Sequence, residues 1–369
     1  MAILNVLVVN AGSSSVKLRI LDPAGGTVAS TDLEGSTLEP DALEQVLAGS
    51  PAVDASGHRI VHGGTAFQRS VAVDDDVLDE LDRLDDLAPL HNPPALAALR
   101  TVQALRPEVP AVACFDTAFH ASLPPQAAVY GIPWRWTEEL GVRRFGFHGL
   151  SHAYAARRAG ALLGRDPAEL RIVTCHLGAG ASLAAVGRGR SVDTTMGFTP
   201  LEGLIMATRS GSVDPGAVLW LQGRLGLDAG EMTEALERSA GLLGMTGSSG
   251  DMPDVEQAAA SGDERAGLAL SAYTHRVRAA IAAMAAAMGG VDAVAFTGGV
   301  GEGSPAVRRA ACDQLGFLGI ELDEARNDAA REEDGDLATA ASRVRVLRIR
   351  AREDLEIDRE VRAVLGRPT

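Results

Sequence analysis

The alternation of apolar and polar positions lays out the elements of this chain before any chemistry is considered. The run Ile3 to Val9 is almost unbroken in its apolar character, as a strand buried on both faces requires. The stretch NAGSSSVKLRIL, residues 10–21, leaves that run through a cluster of Gly and Ser. It resumes with Val16, Leu18 and Ile20 on one face and Lys17 and Arg19 on the other, predicting strand, tight turn and second strand. Residues 22–56, rich in Gly, Pro, Ser and acids, read as a variable stretch, and a short strand is predicted from His58 to His62, closing on Gly63 and Gly64. Leu78, Leu81, Leu84 and Leu87 recur every third position within an acidic run over 74–86, which predicts a surface helix. PLHNPPALAALRTVQALR predicts a helix capped by Asn92, with Pro93 and Pro94 in its first positions and Leu96, Leu99, Val102 and Leu105 as its buried stripe. AVACFDTAFH reads as a strand ending in Asp116 and Thr117, and FHGLSHAYAARRAGALLG as a capped helix beginning near Ser151.

The second half repeats the opening theme. RIVTCHLGAGASLAAVGRGRSVDTT is a strand from Arg171 to His176, a Gly-rich turn and an alternating return strand, so that Asn10, Gly12 and Ser15 lie over His176, Gly178 and Ala181. An Ala-rich helix from Leu268 to Met288 precedes VDAVAFTGGVGEGS, a β-branched strand followed by a Gly-rich turn. A further strand from Val344 to Ile349 leads into Glu353 and Asp354. Two halves that each open on strand, glycine turn and strand suggest a duplicated α/β domain with a ligand cleft between the copies.

Composition narrows the field. A chain of 369 residues exceeds one ordinary core, so two domains are expected. A net charge of −15 disfavours a nucleic-acid partner. No segment reads as a membrane span, because His275, Arg276 and Arg278 interrupt the most apolar long helix. Cys114, Cys175 and Cys312 are scattered within or beside apolar segments, which fits reduced thiols in a cytoplasmic protein whose N-terminus opens directly on a strand. Lys17 is the only lysine among 34 basic residues, so each Arg has to be argued from its context rather than from its having been chosen over Lys.

The mouths of the apolar strands carry the parts that phosphoryl transfer needs. Gly-rich turns near Gly12, Gly178 and Gly299 can cradle phosphates with backbone N–H groups, although the first is also compatible with a bare hairpin. Arg59 in HRIVHGG and Arg209 in TPLEGLIMATRSG lie beside small residues where a guanidinium can reach a ligand. Asp116, His148 and Glu353 end or follow strands. The competing reading makes the arginines surface ion-pair partners and His148 a core residue.

These segments together resemble the acetate kinase family, within the superfamily of acetate and sugar kinases, heat-shock cognate chaperones and actin. The similarity runs in order through NAGSSSVKL, HRIVHGG, PLHNPP, FDTAFH, FGFHGLSH, HLGAGAS, TPLEGLIMATRSG, LLGMTGSSGDMPDV, FTGGVGEGS and REDLEI. The resemblance implies an α/β fold of two duplicated actin-like (ribonuclease H-like) domains with a catalytic cleft between them. Residues 1–118 plus 355–369 would form the acyl and phosphate side, and 119–354 the nucleotide side. It implies reversible transfer of the ATP γ-phosphoryl to acetate, with Mg²⁺ or Mn²⁺ as metal, ATP/ADP as co-substrate, acetate and acetyl phosphate as partners, and a homodimer.

Residue by residue, the resemblance makes Asp116, Arg59, His148 and Arg209 catalytic. Asn10, Gly12, Ser13, Lys17, His176, Gly178, Ala179 and Gly180 would contact phosphate or nucleotide, as would Asp251, Met252, Pro253, Gly298, Gly299, Val300 and Gly301. Arg59, Val61, Leu90, Phe147 and Pro200 would hold the acyl group, and Asn10 and Glu353, with Asp116, would organise the metal. His91 would contact phosphate or support those that do, and His120 would be structural. Three motifs depart from the family pattern: Ala179 stands where an Asn is usual, Gly303 replaces another Asn, and Met252–Pro253 replaces an aromatic residue and an Arg. All three fall on the nucleotide side. They leave open a propionate or other short-chain acyl kinase, a pyrophosphate-dependent variant and a low-turnover nucleotide-binding relative.

Overall fold

The opening apolar run becomes β1 (Val6–Ala11), and its partner across the Ser-rich turn becomes β2 (Ser15–Leu21). The computed structural model describes residues 5–12, 15–89, 91–329 and 333–366, so Ser13 and Leu90 lie outside the described residues. After β3 (Thr27–Glu34) come β4 (Ala55–Ile60), β5 (Val71–Ala72) and β6 (Ala111–Phe115), which complete a sheet of order β3-β2-β1-β4-β6-β5. The central strands β1, β4 and β6 are parallel, and β2, β3 and β5 run antiparallel to their neighbours. Strands covered on both faces need apolar residues at successive positions, and β1 supplies them. Val6 and Val8 pack towards Ile357 and Val361 of the helix Glu353–Val364, while Leu7 and Val9 pack towards Ala98 and Val102 of the helix Asn92–Leu105.

The second sheet contains β7 (Arg171–Leu177), β8 (Ala181–Gly187), β9 (Arg190–Thr194), β10 (Ala293–Thr297), β11 (Gly335–Asp336) and β12 (Arg345–Arg348). Its order is β11-β12-β10-β7-β8-β9. Read from the other edge, each strand of the second sheet occupies the place of its counterpart in the first. The directions match as well: β7 pairs antiparallel with β8 and parallel with β10, and β10 runs parallel to β12. A shared order and shared directions in two six-stranded sheets are the mark of a duplicated α/β domain, as the paired hairpins predict.

By contacts the chain divides into one unit of Met1–Ala121, Phe147–Tyr154 and Arg352–Thr369, and another of Ser122–Gly146 and Ala155–Ala351. The short segment Phe147–Tyr154 therefore groups with the first unit, although the sequence expectation places it within 119–354.

Five local expectations change. β4 begins at Ala55 rather than His58 and ends at Ile60, because Ser56 and Gly57 hide the strand pattern. Gly57 is needed there: a Cβ would lie 2.5 Å from Ile357 Cγ2 and 2.6 Å from Val361 Cγ2. The leucine-rich helix stops at Asp82 and continues as a 3₁₀ turn over Asp85–Leu87. Leucines every three residues stack on a three-residue turn but drift around an α-helix. Asn92 caps nothing; its buried side chain brackets His62, donating to the His62 carbonyl and accepting from the His62 N–H at 3.1 Å each. The helix expected near Ser151 starts at Gly149, whose N–H donates to the Asp116 carbonyl at 2.9 Å. The glycine segment after β10 is a short helix, Gly298–Gly303, rather than a turn. Gly298 makes the corner at φ +79°, where a Cβ would meet the Leu177 carbonyl oxygen at 2.7 Å, and Arg308 and Arg348 take up the free carbonyls of Gly301 and Glu302.

Candidate active site

In the first unit, four side chains converge at the C-terminal ends of the parallel strands, where ligands of α/β sheets generally bind. Asn10 is the penultimate residue of β1, Arg59 that of β4, Asp116 follows β6, and Glu353 opens the C-terminal helix. Arg59 donates from Nε to both Asp116 oxygens at 3.1 Å and from Nη2 to Asp116 Oδ2 at 2.5 Å. Its Nη1 donates to Asn10 Oδ1 at 3.1 Å, and Asn10 Nδ2 donates in turn to Glu353 Oε2 at 3.1 Å. A guanidinium has five N–H bonds, so two of those of Arg59 stay uncommitted.

Electrostatics in this cluster are finely opposed. Burial pushes the Asp116 carboxyl up, and nearby Glu353 adds to that, while Arg59 and the His148 backbone N–H pull it down. Burial is also the largest influence on Arg59 and lowers it. The charges of Asp116 and Glu353, with the hydrogen bonds to Asp116, outweigh it and hold the guanidinium above its ordinary value.

His148 enters through its backbone. Its φ is +56°, a left-handed conformation that side-chain-bearing residues seldom adopt and that clusters at functional sites. Asp116 fixes this corner twice, by accepting from the His148 N–H on its carboxylate and from the Gly149 N–H on its carbonyl. A Cβ on Gly149 would lie 2.1 Å from that carbonyl oxygen, so the close approach depends on glycine. Val61 and Phe147 are buried on the same unit, and the His62 ring packs edge-on to Phe147 with centroids 5.3 Å apart. Lys17 is exposed and stands in register with Asn10, on the same face of the sheet. Gly12 closes the hairpin by donating to the Ser15 carbonyl at 2.8 Å.

The second unit holds a cavity of about 350 Å³. Gly178, Ala179, Asp251, Met252, Pro253, Gly299 and Val300, seven of the residues that the resemblance assigns to the nucleotide side, line it. Gly303 lines it too, so the residues of the three departing motifs named above open onto one space. Pro253 occupies the first turn of the helix Met252–Ala260, where a missing N–H costs nothing. Gly298 and Gly301 are buried in the short helix beside it, and the Gly178 N–H donates to the Gly180 carbonyl. His176 is half-buried on β7, with its Nε2 at 3.9 Å from where a Gly178 Cβ would sit.

Sequence reasoning missed Glu256, Tyr273 and Ser304 in this wall. Ser304 donates to Glu256 Oε1 and accepts from the Val307 N–H, capping the helix Pro305–Cys312. A Ser-Pro pair marks that helix start, and Glu256 lies one turn after Met252 and Pro253 on the helix Met252–Ala260; the approach of Tyr273 exists only in the tertiary fold.

Arg209 belongs to the second unit and is half-buried. Among the described residues its side chain makes one hydrogen bond, a long one from Nη1 to Met206 Sδ at 3.8 Å, and no ion pair. Burial lowers its pKa, and only the more distant charge of Glu237 opposes this. Pro200 is also half-buried in this unit. In the first unit, His91 precedes the helix Asn92–Leu105, and His120 is buried with Nε2 3.0 Å from the Phe147 carbonyl.

Among the described residues no three His, Cys, Asp or Glu side chains form a metal cage. Two carboxylates and an amide oxygen around one arginine nevertheless suit Mg²⁺, which keeps several waters and takes one or two protein carboxylates.

The profile of the Acetokinase family matches residues 37–359. The acetate kinase of Carboxydothermus hydrogenoformans is 43% identical over 392 residues, covering 97% of this chain and 98% of the relative. The crystal structure of Porphyromonas gingivalis acetate kinase superposes with a TM-score of 0.91 at 36% identity, covering 98% of this chain and 100% of that one. A propionate kinase from Francisella tularensis superposes with a TM-score of 0.90 at 34% identity over the same shares.

Proposed function

The chain belongs to the acetokinase family, and on that footing we propose how its own residues move a phosphoryl group between ATP and acetate. Acetate is the acceptor and acetyl phosphate the product. The acceptor carboxylate is already ionised near neutrality, so the reaction needs no general base. It needs alignment and neutralisation of charge.

The observation that carries the residue assignment is Arg209: a half-buried guanidinium, lowered by burial and without an ion-pair partner among the described residues, is poised for an anion. Arg209 binds the transferring phosphoryl group, and the two uncommitted N–H bonds of Arg59 orient the acetate carboxylate. His148 hydrogen-bonds the equatorial oxygens as the phosphoryl group passes. Val61 and Phe147, both buried in the first unit, contact the methyl group. A methylene added there is worth only about 1–3 kcal/mol of discrimination, so propionate is the nearest competitor.

Asn10 and Glu353, with Asp116, would hold Mg²⁺, which would supply positive charge against the phosphate oxygens. Lys17 and Gly12 complete the phosphate side of the first unit, and His176 and Gly178–Gly180 that of the second. The cavity beside Ala179 takes the nucleoside. Its size falls within the roughly 300–1,000 Å³ range of small-molecule sites, which favours a nucleotide donor over pyrophosphate.

The homodimer is supported by the helix Pro215–Leu225, which buries none of its residues and leaves Leu219 69% and Trp220 65% exposed. Such a face calls for a cover. A cytoplasmic setting is supported by Cys114, Cys175 and Cys312, all free and buried.

Trapping the product with hydroxylamine tests the reading. Purified protein with Mg²⁺ and acetate should form hydroxamate with ATP and not with pyrophosphate, and Arg209→Ala should abolish it. Product from pyrophosphate alone would overturn the assignment of the cavity.

A further inference from the structure

We propose that His62 and His120 are positioning residues that hold the Phe147–His148 segment from behind and thereby set the acyl wall and the left-handed corner of the active site. The corner at His148 is a conformation that a side-chain-bearing residue keeps only where its surroundings over-determine it. Asp116 supplies two of the restraints from the reacting side. The others come from two buried histidines that touch Phe147, the residue before the corner.

His120 reaches the Phe147 carbonyl with Nε2 at 3.0 Å; a carbonyl only accepts, so His120 donates and carries its proton on that nitrogen. Its ring is buried and lies edge-on to His152, centroids 5.6 Å apart, and the His152 N–H donates to the His148 carbonyl at 2.9 Å. Burial lowers His120 to about 4, so the donor is the neutral imidazole.

His62 holds the Phe147 side chain itself, its ring edge-on to the phenyl ring. That ring cannot turn freely, because Nδ1 accepts from the Gly64 N–H at 2.9 Å. The backbone that carries it is bracketed by buried Asn92 on both its N–H and its carbonyl. The neighbouring Gly63 N–H donates to Thr117 Oγ1 at 3.1 Å, tying the same loop to the residue after Asp116. Val61, at the start of this loop, and Phe147 are thus fixed by one set of contacts.

A mis-set Phe147 would weaken the hold on acetate and leave the nucleotide cavity of the other unit untouched. His120→Leu removes the donor, whereas His120→Gln returns an N–H at a similar reach from the backbone. Steady-state kinetics with each substrate varied in turn should show His120→Leu raising the acetate KM roughly ten-fold or more, the ATP KM changing less than about two-fold, and His120→Gln recovering to within about three-fold of wild type. His62→Asn keeps an acceptor for Gly64 and removes the ring from Phe147. It should raise the acetate KM as well, and serves if His120→Leu does not fold.

An unchanged acetate KM in the folded variants, a parallel rise in both KM values, or a His120→Gln variant as impaired as His120→Leu would overturn the proposal. It rests on Phe147 facing the acyl group, and Phe147→Ala separates the two. An unchanged acetate KM in Phe147→Ala refutes the acyl wall itself. A raised KM there, with unchanged KM in the histidine variants, refutes only the support from behind.

Discussion

Removing Arg59 should damage the protein in two separable ways. The Asp116 side chain is 1% exposed and that of Arg59 17%, and Glu353 stands close to both. Arg59→Met takes away the three hydrogen-bond contacts to Asp116 and the one to Asn10, leaving a buried carboxylate beside a second one. Breaking a buried pair from one side costs about 3–5 kcal/mol, and the partial exposure of Arg59 places this case near the lower end. About 3 kcal/mol corresponds to a Tm lowered by roughly 6–12 °C for domains of this size.

The charge of Asp116 is the source of that cost, so Arg59→Met/Asp116→Asn should recover most of the lost stability, with a coupling of roughly 2 kcal/mol between the two positions. The cost should also depend on pH. Without Arg59 the folded-state pKa of Asp116 rises further above its unfolded value. The single variant then gains stability relative to wild type as pH falls through that raised pKa towards the ordinary carboxylate range, and is worst at neutral pH. Activity should behave differently: both variants lose about 10³-fold or more in kcat/KM, because the double variant restores no cation at the reacting groups. Thermal unfolding followed by circular dichroism, beside initial rates, makes both readings. A single variant destabilised by less than about 1 kcal/mol, or stability losses that simply add in the double variant, would refute the reasoning.

Other outcomes follow from particular contacts. Burial lowers His58 to about 3 and His120 to about 4, so the unfolded chain binds protons that the folded one refuses below about pH 6.5. Each should cost up to about 1.4 kcal/mol of stability per pH unit as pH falls from 6.5 towards its folded value, and urea unfolding of His58→Gln across pH 7.5 to 5 should show a shallower decline. Gly57→Ala places a methyl group against Ile357 and Val361 and should destabilise by about 1–3 kcal/mol in thermal unfolding, with little effect on KM. Ala179 is exposed to the nucleotide cavity, so Ala179→Asn fits without strain; it should lower the ATP KM by roughly three- to ten-fold with Tm shifted by less than about 2 °C, read from initial rates and melting curves. Trp220→Glu should convert a dimer to monomers in sedimentation velocity while each monomer keeps its fold.

The parts of the fold legible in the sequence are those where neighbouring residues decide the outcome. The alternation of Val16, Leu18 and Ile20 against Lys17 and Arg19 is local, and β2 follows it, with the three apolar side chains buried and Lys17 exposed. Asp116 and Glu353 were findable because each adjoins a strand or begins a helix next to a recognisable motif. What failed depended on distant partners. Ser56 and Gly57 look nothing like a buried strand until the helix Glu353–Val364 is laid across them. Asn92 carries the local signature of a cap, but its amide matches the backbone of His62, thirty residues away, and goes there instead. The glycines after β10 read as a turn because glycine disfavours helix; the arginines that cap the segment arrive from Arg308 and Arg348. Tyr273 joins the cavity wall only through tertiary packing, so no local pattern announces it, whereas Glu256 follows Met252 and Pro253 by one turn of the same helix.

The central claim is direct transfer of the ATP γ-phosphoryl to the acetate carboxylate, with arginines, His148 and a metal at the reacting group and no covalent intermediate on the protein. The stereochemical course at phosphorus tests it most directly, using ATP made chiral at the γ-phosphorus with oxygen isotopes and analysing the acetyl phosphate formed. A single in-line displacement predicts inversion of configuration. Retention would mean two displacements and a phosphorylated side chain, and would contradict the account.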